Sequence, residues 1–547
     1  MGAEATHDLV RTGWEALAEA DWGGARSCFE QACELGESAE ALDGLSRALH
    51  FQGEYTRAIE LTERAFAGYR QLDKPVEAAD RARWLAFLHG TISGNMAVAS
   101  GWMARAATLL GETDECAGHG WLALDRAPFT DDAGERERLA AAALAIARRF
   151  GDVDLEYDAL ALLGESYVAG GRVAEGMRLI DEAMTAVSAG EVVGIVPIGD
   201  IYCRLLGACE IALDVTRAEQ WMSVAGGFEA WSDFVSPVCR THYGGILTAV
   251  GRWTEAEEAF LAAIRAFESS YRGMRGSPLV KLADLRVRQG RLDEARRLLE
   301  GFESHPVARR ALATIALARG ENALAEELVC LCLDAEDAAD PACAPGLELL
   351  VQIRLARGDV VAASEALERL SDLAASSGDG RAAAFAELAA GRVRGAELDE
   401  RTSTHLQAAV RDFTTLDLPL EAARAQLELA RGIAPAAPEA AVAEARQALR
   451  TFERIGAASD ADAAAGLLRQ LGTGGRAWPK HYGALTKRET EVLSLLAAGC
   501  SNADIAERLV ISRRTAEHHV AHILSKLDLR SRAEAAAFAV RKLSEDP

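Results

Sequence analysis

LALLGESYVAGGRVAEGMRLIDEA, residues 160–183, reads as two helices folded back on each other. Leu160, Leu163, Gly164 and Tyr167 recur at helical spacing, and Gly171 closes that run. A residue just past a helix end commonly takes the left-handed backbone conformation, which glycine adopts at no steric cost. Gly176 follows five residues later and lets a second helix approach the first. Ile180 and Ala183 continue that helix's apolar stripe. One such hairpin cannot bury its stripe alone, so neighbouring hairpins must stack.

The same pattern of turn glycine, small residue and large apolar residue recurs along the chain. It appears at Gly53/Ala58, Gly251/Ala256/Phe260, Gly290/Ala295/Leu299, Gly320/Ala325/Val329 and Gly358/Ala363/Leu367. Successive glycines, with Gly171 included, lie 118, 80, 39, 30 and 38 residues apart, a mean unit of about 38. Composition agrees with closely packed helices. Half of the 547 residues are hydrophobic, aromatics are only 6%, and 13 prolines leave room for long uninterrupted segments. Mean hydropathy is −0.00, neither a disordered nor a membrane composition.

The best-formed copies resemble tetratricopeptide repeats. Leu160, Leu163, Gly164, Tyr167, Gly171, Gly176, Ile180 and Ala183 stand at that motif's spacing. So do Gly244, Leu247, Gly251, Trp253, Ala256, Phe260 and Ala263. Trp22, Ala25, Phe29 and Ala32 are echoed by Tyr55, Ala58 and Ala65 at an offset of 33. Unit lengths vary, so a strict 34-residue array is not expected, and a generic α-solenoid remains the alternative. The expected architecture is all-α: a tetratricopeptide-like helical-repeat solenoid over 1–471, a linker over 472–483 containing Gly472-Thr-Gly-Gly475, and a small four-helix domain over 484–547.

Enzyme chemistry is not apparent in the long array. There is no Gly-x4-Gly-Lys-Ser/Thr loop, no Gly-x-Ser-x-Gly elbow and no His-Glu-x-x-His. Acid pairs such as Asp131/Asp132 and Glu257/Glu258 have no partner constellation and read as solvated faces. Trp221, Trp231 and Trp253 are candidates to line a ligand groove, although Trp253 sits at a repeat core position. The ten cysteines show neither a Cys-x-x-Cys nor zinc-finger spacing and read as reduced thiols. No metal, cofactor or enzymatic activity is expected. The N-terminus is acidic where a signal peptide needs a basic start, and no apolar run approaches membrane length. A soluble cytoplasmic protein without membrane contact is expected.

Charge separates the two parts. The chain carries −24, yet residues 481–547 carry +1 and the remainder −25. Only the last stretch suits a polyanionic partner. There the caps are explicit. Thr486-x-x-Glu489 is a capping box ahead of an apolar face of Val492, Leu493 and Leu496, which Gly499 closes. A second helix opens near Ser501/Asn502 and buries Ile505, Ala506 and Leu509. Ser512 caps a third, with its stripe at Ala516, Val520, Ile523 and Leu527, and Ser531-x-x-Glu534 opens a fourth through Phe538. The second and third form a helix-turn-helix, whose second member enters the major groove by its N-terminal half. The face opposite its stripe carries Arg513, Arg514, Glu517, His518, Ala521 and His522, with Lys526 and Arg530 beyond. Arg suits phosphate and guanine edges, Glu accepts from cytosine, and Ala permits contact with a thymine methyl.

This stretch resembles the LuxR-type helix-turn-helix of bacterial transcription regulators. The match runs through Leu485-Thr486, Arg488-Glu489, Glu491-Val492-Leu493, Gly499, Ser501-Asn502, Ile505-Ala506, Leu509, Ser512, Arg514-Thr515, His519-Val520, Ile523, Lys526-Leu527 and Ser531-Arg532-Ala533. The resemblance implies base readout by Glu517, His518 and Ala521, and phosphate contacts around Ser512, Arg514, Thr515, His519 and Lys526. Asn502, Arg513 and His522 complete the candidate DNA-binding set. Two positions depart from the pattern: Ala516 replaces the usual valine, and Glu517 stands where lysine is common. LDLPLEAARAQLELA (416–430) and EARQALRTFERIGA (444–457) resemble the C-terminal, helical-repeat part of large ATP-binding LuxR-type regulators. The ATPase motifs are absent, so ATP-driven switching is not implied.

The sequence therefore implies a sequence-specific DNA-binding transcription regulator. Residues 512–527 would read double-stranded DNA, and the repeats would sense a small-molecule or protein effector. RNA polymerase and a second copy of the chain are further candidate partners. The alternative from another class is a protein-interaction scaffold with a non-functional helix-turn-helix. The charge split adds one expectation: the acidic array masks the basic helix in the DNA-incompetent state.

Overall fold

The computed structural model describes residues 2–130, 132–224, 235–335, 337–472, 485–498, 500–509, 511–527, 529, 534–535 and 538–539, with backbone alone at 2–3, 235–236, 487, 503, 507, 514, 521 and 525. Among the described residues there are 28 α-helices and no strand, so the fold is all-α as expected. The chain divides into two compact units, Met1–Leu467 and Leu468–Pro547.

The first unit is a run of antiparallel helical hairpins in which the helices from Gly2–Ala18 to Pro438–Ile455 pack on their neighbours in sequence. Alternate helices also touch. Val153–Ala169, Ile195–Ala212, Val235–Ala249, Gly276–Arg288, Pro306–Ala318, Ala344–Ala356, Gly380–Ala396 and Pro419–Ile433 each contact the next, which makes a continuous inner layer. Their partners form the outer layer.

The turn chemistry is the one the spacing predicts. Gly53, Gly171, Gly251, Gly290, Gly320 and Gly358 all have positive φ, between 76° and 82°. At the quoted hairpin the Arg172 amide donates to the Tyr167 carbonyl at 2.8 Å, closing the helix end. The small residues Ala58, Gly176, Ala256, Ala295, Ala325 and Ala363 are all buried, as are Ile180, Phe260, Leu299 and Val329. Leu367 is half-buried, because Ala363, Ala366 and Leu370 form the inward stripe of its helix. In the Gly53 unit the corresponding position is Thr62, buried with its hydroxyl donating to the Ala58 carbonyl at 2.8 Å. Backbone meets backbone closely where glycine faces glycine. A Cβ at Gly176 would lie 2.3 Å from the Gly164 carbonyl oxygen.

The array is wound so that distant hairpins meet. Tyr271 Oη lies 3.0 Å from His50 Nε2, across 221 residues of sequence. Arg288 donates to Glu421 at 3.0 Å. Burial, with Arg47 nearby, pushes the His50 imidazole down to about 3, so it sits neutral in its aromatic surroundings. Trp253, a core position in the sequence pattern, is 3% exposed, and its indole N–H donates to the Thr248 carbonyl at 2.9 Å. Trp221 is half-buried and donates to Asp181 at 2.9 Å. Trp231 and Asp131 lie outside the described residues, as does most of the 472–483 linker. No helix among the described residues is long and apolar enough to cross a membrane.

Candidate nucleic-acid interface

Three helices of the second unit are described in full outline: Lys487–Ala497, Asn502–Leu509 and Arg513–Lys526. The first two open on reciprocal caps. Thr486 Oγ1 accepts from the Glu489 amide at 3.2 Å, and Glu489 Oε2 accepts from the Thr486 amide at 2.7 Å. Ser501 and Asp504 do the same, at 3.2 and 2.7 Å. The third opens on Ser512, whose Oγ accepts from the Thr515 amide at 3.0 Å. Gly499, Arg530 and Ser531 lie outside the described residues, so the first helix's glycine stop and the fourth helix's capping box do too.

The apolar faces converge on one core of Val492, Leu493, Leu496, Ile505, Ala506, Ala516, Val520 and Ile523, joined by Ala535 and Ala539. Ala516 and Ile523 are fully buried and Val520 is 8% exposed, whereas Leu527 is half-buried. Both the first and second helices pack on the third, which rests by its apolar stripe and leaves the opposite face outward.

That outward face is polar. Ser512, Arg513, Thr515, Glu517, His518, His522 and Lys526 are exposed, and His519 and Asn502 are half-buried. Arg514 and Ala521 lie within the helix, but their side chains are outside the described residues. Ser512 Oγ and Thr515 Oγ1 are 2.7 Å apart. Arg513 Nε donates to Glu517 Oε1 at 3.3 Å, one turn on, so the acid in the row is accompanied by a guanidinium. The rings of His518 and His522 lie 5.4 Å apart along the same edge. Burial holds the His519 imidazole below the ordinary histidine value, with Arg488, His522 and His518 adding to it and Glu489 opposing.

Two of the resembling positions do work the sequence reading did not assign. Lys526 Nζ donates to Glu489 Oε2 at 2.9 Å, tying the end of the third helix to the cap of the first. Arg488 donates to the Leu509 carbonyl at 2.6 Å, satisfying an orphan carbonyl at the end of the second helix. The carboxylate of Glu489 therefore serves a cap and an inter-helix ion pair together. Burial pushes that carboxyl up, but the Thr486 amide and the Lys526 ammonium outweigh it, and the net shift is downward. A lowered carboxylate stabilises the fold above the ordinary glutamate range of about 4.3 and loses that contribution as pH falls through the lower folded value. Glu489→Gln is expected to cost about 1 kcal/mol at neutral pH and to shrink the acid-side loss of stability. Melting followed between pH 7 and pH 3 checks this; an unchanged acid limb would show that Glu489 is not the responsible group.

The family model for bacterial regulatory proteins of the luxR family matches residues 483–539. That segment is a LuxR-family helix-turn-helix domain. Among similar proteins, the oxygen regulatory protein NreC of Staphylococcus haemolyticus is 50% identical over 58 residues, which are 11% of this chain and 27% of that protein. NreC of Staphylococcus epidermidis is 48% identical over the same length and shares. The chain thus spans about a quarter of the length of the curated relatives it matches. Across nearly the whole chain, the crystal structure of the APC/C hetero-tetramer Cut9-Hcn1 aligns with 13% identity and a TM-score of 0.42, covering 98% of this chain and 96% of that one. Residues 483–539 thus form a DNA-binding domain of a regulatory family.

Proposed function

We propose that the chain is a transcription regulator whose third C-terminal helix reads double-stranded DNA in the major groove while the helical repeats sense an effector. The observation that carries this reading is the outward row of Ser512, Arg513, Thr515, Glu517, His518 and His522 on a helix braced from behind by a LuxR-family core. Base readout falls to Glu517, His518 and Ala521, and phosphate positioning to Ser512, Arg514, Thr515 and His519, with Asn502, Arg513 and His522 at the margins. Lys526 reaches phosphate only by sharing its ammonium with Glu489, so its effect on affinity is smaller than that of Arg514. The amides of the third helix's first turn add a site for one phosphate oxygen.

Gel-shift titration against fragments of the source genome, over a range of salt, tests the reading. Arg514→Ala is expected to weaken binding to every duplex and to flatten the slope of log K against log salt by about one. His518→Ala is expected to cost about 1–3 kcal/mol at one base pair and to leave random duplex unaffected. Equal losses on cognate and random duplex for both variants would overturn the division into phosphate and base contacts. Failure of the intact chain and of residues 474–547 to retain any fragment at low salt would overturn the DNA reading itself. Tighter binding by residues 474–547 than by the intact chain is expected if the acidic array masks the helix; equal affinity at equal salt removes the masking.

A further inference from the structure

Trp14, Trp22, Phe51, Trp84, Phe87 and Trp121, none of them fully buried, line a cavity of about 480 Å³ within the first unit. They come from five different helices: Gly2–Ala18, Trp22–Leu35, Ala39–Phe51, Pro75–Thr91 and Ala117–Arg126. The lining also includes the start of Ile195–Ala212 and the residues just before it. The volume falls within the range of small-molecule sites, roughly 300–1,000 Å³.

The rings are arranged in pairs. Trp22 stacks on Phe51 with centroids 4.3 Å apart, and Trp84 stacks on Phe87 at 4.9 Å. The chain already seats positive charge on this lining. The Arg47 guanidinium lies 5.6 Å from the Trp14 ring and 5.8 Å from the Trp84 ring, and that of Arg83 lies 5.4 Å from Trp121. Each of these arginines is neutralised. Arg47 reaches Asp43 and Asp80, and Arg83 reaches Asp80 and Asp125. Arg81, buried behind them, is held by Asp43 and Asp80. Asp154 is engaged by the amides of Val193 and Gly194, both at 2.9 Å.

One lining carboxylate is left over. Asp200 makes no hydrogen bond and no ion pair among the described residues, although it borders the cavity. Its charged neighbours are Asp158, Arg204, Asp125 and Glu165, and Arg204 is already bonded to Asp158 at 2.8 Å. With Arg83 on Asp125, this corner holds four carboxylates against two guanidiniums. Burial and the neighbouring acids push the Asp200 carboxyl up to about 8, the expected response of an acid lacking a cationic partner. A bound cation would supply that partner.

We infer that this cavity is a binding site for a small organic cation, an ammonium group joined to a flat apolar body, with Asp200 as its counter-ion and the tryptophan and phenylalanine rings as its walls. The empty site holds Asp200 largely as the neutral acid at neutral pH; the arriving ammonium draws off that proton to solvent and pairs with the carboxylate, while the body lies against the ring faces, which attract positive charge electrostatically and bury apolar area at once. A ligand bridging the aromatic wall and the Ile195–Ala212 wall would bind differently to any state in which the two separate, the requirement for a sensor. This last point rests on the proposed effector-sensing role of the repeats; the binding site itself does not.

Isothermal titration of the full chain, without DNA, with 2-phenylethylammonium, 2-phenylethanol and phenylacetate tests the site, since the three share a ring and differ in charge. The ammonium is expected to bind roughly tenfold tighter than the alcohol, and phenylacetate more weakly than either. Asp200→Asn is expected to erase the preference for the ammonium over the alcohol and to leave the alcohol's affinity unchanged, which also shows that the variant is folded. Trp22→Leu is expected to weaken the ammonium and the alcohol together. Equal affinities, a preference for phenylacetate, a preference that survives Asp200→Asn, or no binding by any of the three would each overturn the inference. A gel shift with and without the ammonium then separates the two proposals: binding of the ammonium with unaltered DNA affinity upholds the site and overturns effector sensing through it.

Discussion

Gly176→Val is expected to destabilise the hairpin of residues 153–189 by about 3 kcal/mol, near the upper end of what overpacking costs. An added Cβ would lie 2.3 Å from the Gly164 carbonyl oxygen and 2.9 Å from the Val168 amide nitrogen. Both are backbone atoms, so no rotamer change relieves the clash, and the two helices must separate. The opposing Gly164 is equally constrained, with its own Cβ position 2.7 Å from the Gly176 carbonyl oxygen. Gly171→Ala offers a calibration. Its φ of +82° makes any side chain strained, yet the nearest atom is 3.5 Å away, so only the conformational cost of about 1 kcal/mol applies. Because stability in a repeat array is a sum of local terms, the effect should be regional. Limited proteolysis of Gly176→Val is expected to open cleavage between residues 150 and 190 first, with a lowered helical melting midpoint. A cleavage pattern and midpoint equal to those of the parent chain would show that the glycine pair is not a contact point.

The same glycines explain how much of the array was legible. At six turn glycines the spacing of turn, small residue and large residue could be read directly, and all six of those turns form as expected. Elsewhere the left-handed position is filled by other glycines, such as Gly94 and Gly151, or by the side-chain-bearing Ala20, Asp73, Leu213, Leu398 and Asp417, these five at φ between 53° and 59°. The chain accepts about 1 kcal/mol or more of strain at each of the five because flanking hairpins over-determine the turn. No local signal marks Leu213 as a turn residue, so the hairpins between Gly171 and Gly251 surfaced only as a multiple of the repeat length; between Gly53 and Gly171 the same signal does stand at Gly94, with the buried Ala99 five residues on, but Asp73 fills the turn before it. The helix-turn-helix was legible almost in full, since its caps, stripe and polar face are all short-range patterns. What the sequence concealed there were contacts between helices: the Lys526–Glu489 pair and the Arg488 bond to the Leu509 carbonyl join residues 37 and 21 positions apart. The aromatic cavity was hidden for the same reason. Trp14, Trp84, Trp121 and Asp200 belong to helices far apart in sequence and converge only through the winding of the array. Trp221 and Trp253, named from the sequence as candidates to line a ligand groove, instead donate to Asp181 and to a backbone carbonyl.

Ile523→Asp is expected to abolish DNA binding altogether. Ile523 is fully buried on the third helix, packed in a core that also holds Val492, Leu493, Ile505 and Ala516. Losing its side chain from that core forfeits about 1.5–3 kcal/mol, and an unpaired carboxylate there adds several more. A domain of this size holds only about 3–5 kcal/mol in reserve, so the substitution exceeds what the fold can absorb. Ile523→Val, costing about 1 kcal/mol, is expected to stay folded and bind normally. The informative comparison is with His518→Ala, which removes a side chain from the exposed face and leaves the core intact. That variant should lose affinity only for the cognate duplex. Ile523→Asp, by dissolving the platform that holds the whole polar row, should lose cognate and random duplex alike, while the melt of the Met1–Leu467 unit keeps its midpoint. Retained binding by the aspartate variant, measured by gel shift at low salt, would mean that DNA is held by some other surface of the chain.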